Sequence, residues 1–209
     1  DNSPRLSLLV LGLQAQRRPN VADETFAGLE PPYSTIVADP PWLYKQGGPT
    51  TGFAPLRPPP YSMMTVDDIA ALPVGDLAAG SAHLYLWTTN AYLRASFDLA
   101  EGWGFRHSQT LTWCKPRRGI GPGGAFSNTT EFVLFCRRGT LAPTSRVDTT
   151  WWTWPRGRHS VKPSAFLDLV EAVSPGPYVE LFARAPRLGW DSWGRGYELV
   201  GASAEEGGR

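Results

Sequence analysis

Cysteine and histidine are scarce in this chain of 209 residues, with two of the first and three of the second. Cys114 and Cys136 lie in separate strand-like runs and share no ligand spacing with His83, His107 or His159, so no zinc site and no metal are expected. Two thiols build no disulfide framework. They pair only if their strands are neighbours, and free buried thiols in a reducing cytoplasm are the simpler expectation. No apolar run approaches the roughly 18 residues that cross a bilayer. The short run from Leu8 to Leu13 is followed by arginine-bearing sequence without a cleavage pattern, so it is not read as a signal peptide and no membrane is expected. A net charge of only +1 excludes a protein that grips nucleic acid through a global basic field. There is no internal repeat.

What is present is a globular composition, 42% hydrophobic and 19% charged, with 22 glycines and 20 prolines that imply many turns and long ordered loops. The length suits one domain. Residues 1–32 read as an N-terminal extension or irregular first elements, 33–200 as the domain, and 201–209 as a tail. The pairs Arg117/Arg118, Arg137/Arg138 and Arg156/Arg158 are candidates for one local patch converging on phosphates; solvated loop arginines are the competing reading.

Tyr33 to Ala38 is short, β-branched and apolar, the pattern of a buried strand, and it runs into Asp39-Pro40-Pro41-Trp42. Leu43 to Pro60 is a long Gly/Pro loop of the kind used as a lid or binding loop. Thr65 caps a helix to about Leu72, with Asp67 and Asp68 in its first turn. A strand follows at Ala82 to Thr88, a helix at Tyr92 to Glu101, and then two strands, His107 to Cys114 and Glu131 to Arg137, expected to be antiparallel. Ser160 to Val173 reads as a helix, Tyr178 to Phe182 as a buried strand, and Tyr197 to Val200 as a short final one. Alternating strands and helices with one antiparallel hairpin describe an α/β three-layer sheet.

In open α/β sheets ligands bind beyond the carboxyl ends of the strands, which is where Asp39 falls. Pro40 and Pro41 have fixed φ and no N–H, so the carbonyls of Asp39 and Pro40 are expected to point outward as unopposed acceptors, with Trp42 offering a flat face beside them. A carboxylate, a rigid carbonyl and an aromatic plane suit a planar ring bearing an exocyclic amine, such as adenine. Two acceptors placed beforehand stabilise the positive character that such a nitrogen gains on alkylation. A plain Asp-Pro turn with Trp42 in the core is the alternative.

Asp39-Pro40-Pro41-Trp42 after a strand resembles the signature of the MT-A70 adenine-N6 methyltransferases. The resemblance runs from about Tyr33 to Val200. It includes Pro60-Tyr61-Ser62-Met63-Met64, Leu84-Tyr85-Leu86-Trp87-Thr88, Trp113-Cys114-Lys115, the Glu131 strand, Val161-Lys162-Pro163, Val179 to Arg184, Gly189-Trp190-Asp191 and Trp193-Gly194. It implies a Rossmann-like methyltransferase fold, mostly parallel with one antiparallel strand and with the catalytic motif ahead of the cofactor motif, and S-adenosylmethionine as cofactor. Asp39, Pro40, Pro41 and Trp42 would be catalytic; Tyr44, Tyr61 and Lys115 would meet the substrate. Asp39, Lys162, Glu180, Phe182, Arg184, Gly194 and Arg195 would hold the cofactor, Lys162 through its methionine carboxylate. Arg195 stands where many members have Asn, and Asp23 is the nearest candidate for an upstream cofactor-contacting acid.

The tetrapeptide reads an amine common to DNA and RNA. The compactness of the chain resembles prokaryotic and phage members, so DNA is favoured over RNA and a cytoplasmic location is expected. Flipping a paired base costs a few kcal/mol, so an unpaired or transiently opened adenine, or a homodimer or partner subunit that adds grip, is the further expectation. A catalytically inactive nucleic-acid-binding scaffold and a cytosine-modifying enzyme are the competing readings.

Overall fold

The computed structural model describes residues 25–44, 63–116, 126–155 and 162–194. In chain order the elements are β1 (Tyr33–Ala38), α1 (Val66–Ala70), α2 (Val74–Leu77), β2 (Ala78–Thr88), α3 (Leu93–Gly102), β3 (Arg106–Cys114), β4 (Thr130–Arg138), β5 (Trp151–Trp152), α4 (Ser164–Val173), β6 (Tyr178–Leu181) and β7 (Trp190–Trp193). They build a seven-stranded sheet in the order β5-β3-β4-β2-β1-β6-β7. Only β4 runs against its neighbours, antiparallel to both β2 and β3, while the remaining pairings are parallel.

Period-two alternation divides the strands between two apolar layers. Ile36, Leu84, Leu86, Leu134 and Leu181 face one side, where Ile69, Val74, Leu77 and Leu99 from α1, α2 and α3 cover them. Val37, Tyr85, Trp87, Trp113 and Val133 face the other, against Phe166 and Val170 of α4. Three layers result, the α/β three-layer sheet that the alternation of strands and helices predicts. Because both faces are covered, β1 is buried along nearly its whole length. Phe26 also enters the first layer, edge-on to Trp193 at 4.8 Å, and the Tyr33 hydroxyl donates to Asp191 on β7. The core therefore starts before β1.

Several boundaries differ from the sequence expectation for local reasons. β2 begins at Ala78 rather than Ala82 because its first four residues are not fully buried and lack an apolar signal. The Thr65 helix ends at Ala70, although Thr65 and Asp68 do form a reciprocal capping box. The four-residue α2 is too short to show a period. β7 carries Asp191, a charge that masks its strand pattern and is matched only across the sheet by Tyr33. The strand expected at Tyr197 to Val200 lies outside the described residues. The thiols are free. Cys136 faces His107 and Cys114 faces Thr130, so they sit at opposite ends of one hairpin, roughly 20 Å apart at about 3.3 Å per residue, which is beyond bridging.

Candidate active site

β1 lies where the strand order switches from one side of the sheet to the other, with β2 on one side and β6 on the other, both parallel to it. Asp39 leaves that central strand at its carboxyl end, its N–H reaching the Leu181 carbonyl at 3.4 Å. Two details of the tetrapeptide correct the sequence reading. The Pro40 carbonyl is not unopposed, since it accepts the Trp42 N–H at 2.9 Å in a tight turn; one of its two lone pairs remains. Trp42 is no open plane. It is 5% exposed, stacks on Tyr92 at 4.8 Å and 15°, and donates its indole N–H to the Trp87 carbonyl at 3.3 Å. The Pro41 carbonyl takes the Met64 N–H at 2.8 Å, tying the start of α1 to the motif. Trp42 thus plugs the turn from below and fixes Asp39 above it.

Alternation carries Asp39 to the same face as Val37, toward α4. There Lys162, immediately before the helix, donates to Asp39 Oδ1 at 2.5 Å and stands 5.0 Å from the centre of the Trp87 ring. Its ammonium is also 3.6 Å from Glu131 Oε2. Glu131 in turn binds Lys115, whose ammonium lies 5.0 Å from the Trp113 ring centre. Because β4 is reversed, its first residues meet the last residues of β3, Trp113 facing Glu131, and this reversal brings a carboxylate to the end of the sheet where Asp39 lies. The outcome is a line of alternating charge, Asp39, Lys162, Glu131, Lys115, crossing from β1 to β3. Sequence reasoning quoted the Glu131 strand but gave Glu131 no role; its signal was an acid opening an otherwise apolar strand. Trp87 and Tyr92 were missed as well.

Tyr44 lies at the rim. Its hydroxyl is 2.9 Å from Thr89 Oγ1, and its ring meets Tyr92 edge-on at 5.4 Å. Partial desolvation raises its phenol above the usual value, with the negative charges of Glu131 and Asp39 adding to the effect.

On the other side of Asp39, Glu180 of β6 pairs with Val37 and shares its face. Burial pushes its carboxyl up to about 7, with the charge of Asp39 adding to the rise and Lys162, Arg187 and Arg184 opposing it. Phe182 follows with a left-handed backbone, φ 63, unusual for a bulky side chain. Its ring meets Trp193 edge-on at 5.4 Å. Gly194 is there because a Cβ would come within 2.8 Å of the Phe182 and Ala183 backbone, so only glycine lets the two turns lie against each other. The structure thus brings Asp39, Lys162, Glu180, Phe182, Arg184 and Gly194 to one end of β1, β6 and β7. Tyr61, Arg195 and Asp23 lie outside the described residues, as do Arg117, Arg118, Arg156 and Arg158. Of the arginines expected to converge, Arg137 and Arg138 lie among the described residues. They end β4, at the opposite end of that strand from Glu131, beside Arg106 in a cleft of about 390 Å³.

No group of three or more His, Cys, Asp or Glu that could hold a metal occurs among the described residues, nor does any helix long and apolar enough to cross a membrane. The sequence matches the family model described as MT-A70 over residues 33–196. It is 31% identical over 194 residues to Type II methyltransferase M.MunI from Mycoplasma sp, covering 84% of this chain and 82% of that protein. It is 26% identical over 191 residues to N(6)-adenine-specific methyltransferase METTL4 from Homo sapiens, covering 78% of this chain but only 37% of that longer protein.

Proposed function

This chain belongs to the MT-A70 family, and on that premise we propose that it transfers a methyl group from S-adenosylmethionine to the N6 amine of adenine in DNA. The observation that carries the reading is the contact of Lys162 with Asp39 at the end of the central strand, with Glu180 on the same face. These residues fit the cofactor. Lys162 has three N–H donors, one spent on Asp39 and one facing Glu131, which leaves a donor for a methionine carboxylate. Glu180, already near its titration point, suits ribose hydroxyls, and Phe182 and Arg184 flank it. When bound, the cofactor supplies a methyl group on a positively charged sulfur.

The chain's own part is electrostatic. The Asp39 carboxylate and the free lone pair of the Pro40 carbonyl accept the two N–H groups of the amine and are fixed before it reacts. They stabilise its growing positive character without rearranging, an effect on the order of 3 kcal/mol per good contact. Trp42, held by Tyr92 and Trp87, keeps that pair in register. Tyr44 and Lys115 border the place where the base enters. DNA is favoured over RNA because the chain resembles the compact family members, and its match to the Mycoplasma methyltransferase runs along most of that protein. The test is transfer of labelled methyl groups to an adenine-containing DNA oligonucleotide, alongside calorimetric binding of S-adenosylmethionine. Transfer and binding by the wild type are expected; absence of cofactor binding would favour the scaffold reading.

A further inference from the structure

The side chain that opens α3 does not serve its own helix. Ser, Thr, Asp or Asn ordinarily stands at that position and caps a free backbone N–H; Tyr92 stands there and its side chain makes no such bond. It turns instead to the segment that leaves the Asp39 motif, 49 residues away in the chain, and makes two contacts there. The ring stacks on Trp42 at 4.8 Å and 15°, and the hydroxyl donates to the Leu43 carbonyl. The turn before α3 adds a third hold, since Thr89 Oγ1 lies 2.9 Å from the Tyr44 hydroxyl and the Tyr44 ring meets Tyr92 edge-on. Trp42, Leu43 and Tyr44 are therefore all gripped from one turn, residues 89–92. That turn is itself braced. The Tyr92 N–H donates to the Thr89 carbonyl at 3.0 Å, and the Tyr92 carbonyl accepts the Ser96 N–H at 2.9 Å. The buried Ser96 hydroxyl lies 2.9 Å from the same carbonyl and 2.7 Å from Thr88 Oγ1 at the end of β2.

The two contacts of Tyr92 act on different parts of the reaction. The Trp42 N–H occupies one lone pair of the Pro40 carbonyl, so a shift of Trp42 re-aims the second lone pair, the one assigned to the amine. Leu43 has its N–H on the Met64 carbonyl at 3.0 Å and its own carbonyl on Tyr92, and it sets the direction in which the chain runs on to Tyr44. We propose that Tyr92 is a positioning residue for methyl transfer in two separable parts: its ring, through Trp42, aims the Pro40 carbonyl, and its hydroxyl, through Leu43, sets Tyr44 where the base enters. The proposal rests on the methyl-transfer reading above and deepens it. A misdirected carbonyl weakens a contact that grows as the amine gains positive character, so loss of the ring lowers kcat. A displaced Tyr44 weakens binding in the ground state and the transition state alike, so loss of the hydroxyl raises KM for DNA. Neither part reaches the cofactor side. Lys162 and Glu180 meet Asp39 on the face toward α4, whereas Trp42 and Tyr92 pack in the opposite apolar layer.

The test is steady-state methyl transfer to an adenine-containing single-stranded DNA at saturating S-adenosylmethionine, with wild type, Tyr92→Phe and Tyr92→Leu. Calorimetric titration of S-adenosylmethionine on the same preparations measures affinity and counts sites. Tyr92→Phe keeps the stack, loses one oxygen and should fold normally. Its KM for DNA should rise roughly three- to tenfold, the scale of one hydrogen bond, with kcat within about twofold of wild type. Tyr92→Leu loses both contacts, and its kcat should fall by roughly a further tenfold, the upper scale of one aromatic stack. Both variants should bind the cofactor with wild-type affinity and stoichiometry. If Tyr92 only holds the fold together, kcat and the number of cofactor sites fall in proportion and KM stays put; that result overturns the positioning role. A wild-type KM in Tyr92→Phe overturns the part given to the hydroxyl, and a wild-type kcat in Tyr92→Leu overturns the part given to the ring. Wild type that transfers no methyl group sinks the enzymatic reading and the positioning with it; wild type that transfers but ignores both substitutions sinks only the positioning.

Discussion

At the carboxyl end of the parallel strands, Asp39, Lys162, Glu131 and Lys115 form an alternating line of charge, partly open to water. At the other end, buried His83, Ser174 and Tyr85 form a neutral chain of hydrogen bonds. His83 Nε2 lies 3.1 Å from the Leu141 carbonyl, which can only accept, so that nitrogen carries the proton. Nδ1 then accepts from Ser174 at 2.7 Å, and Ser174 accepts from Tyr85 at 2.7 Å. Burial pushes the Tyr85 phenol up to about 12 and holds His83 below its ordinary value. Every proton in that chain has one place, and nothing is left to meet a ligand. The charged line contrasts with it at each point. Its members compete for partners, with Lys162 serving two carboxylates, and beside it burial pushes the Glu180 carboxyl up to about 7. Polar groups that finish a core satisfy one another, and those that serve chemistry leave capacity over.

The largest effect that could break this contrast comes from Asp39→Ala. Methyl transfer should fall about 10²–10³-fold or more, as when one preorganised contact is removed, a loss well beyond any weakening of cofactor binding measured on the same variant. Next, Lys162→Met should weaken S-adenosylmethionine binding by roughly 10- to 100-fold in calorimetry, the range for a charge-assisted hydrogen bond. Ser174→Ala should cost about 1–3 kcal/mol in chemical denaturation by leaving Tyr85 and His83 without their shared partner, yet leave transfer unchanged. A loss of activity matching the Asp39 variant would erase the distinction between the ends.

The ends should also differ in pH dependence. The folded value of Glu180, about 7, lies above its ordinary 4.5, so folding favours the protonated form. Its contribution is whole below about 4.5 and is lost as pH rises through about 7. The folded value of His83 lies below its ordinary 6.5, so its contribution is whole above 6.5 and is lost as pH falls through the depressed value. Tm measured against pH should lose its decline between about 4.5 and 7 in Glu180→Gln and keep the decline below 6.5. The smallest effect belongs to Arg106→Ala in the far cleft, which should leave DNA affinity within about twofold.

The strands were legible where burial on both faces wrote continuous β-branched runs, as in Tyr33 to Ala38, and the reversed β4 was legible from its hairpin with β3. β5 was not, because two residues carry no period, and β7 was not, because Asp191 interrupts it. At the site, Asp39 and Lys162 were readable from motif and position, while their contact depends on β1 and the α4 start meeting across 123 residues of chain. Glu131 became a site residue only through the direction of β4. Trp42 looked like a binding surface in sequence because its stacking partner, Tyr92, arrives from a helix start 50 residues later.

The most direct test is a nucleoside digest with mass detection, after reaction with S-adenosylmethionine, of matched single-stranded DNA, duplex DNA and RNA. The account predicts N6-methyladenine, most abundant from single-stranded DNA and absent with Asp39→Ala. N4-methylcytosine, methyladenine from RNA alone, or undiminished product from Asp39→Ala would contradict it.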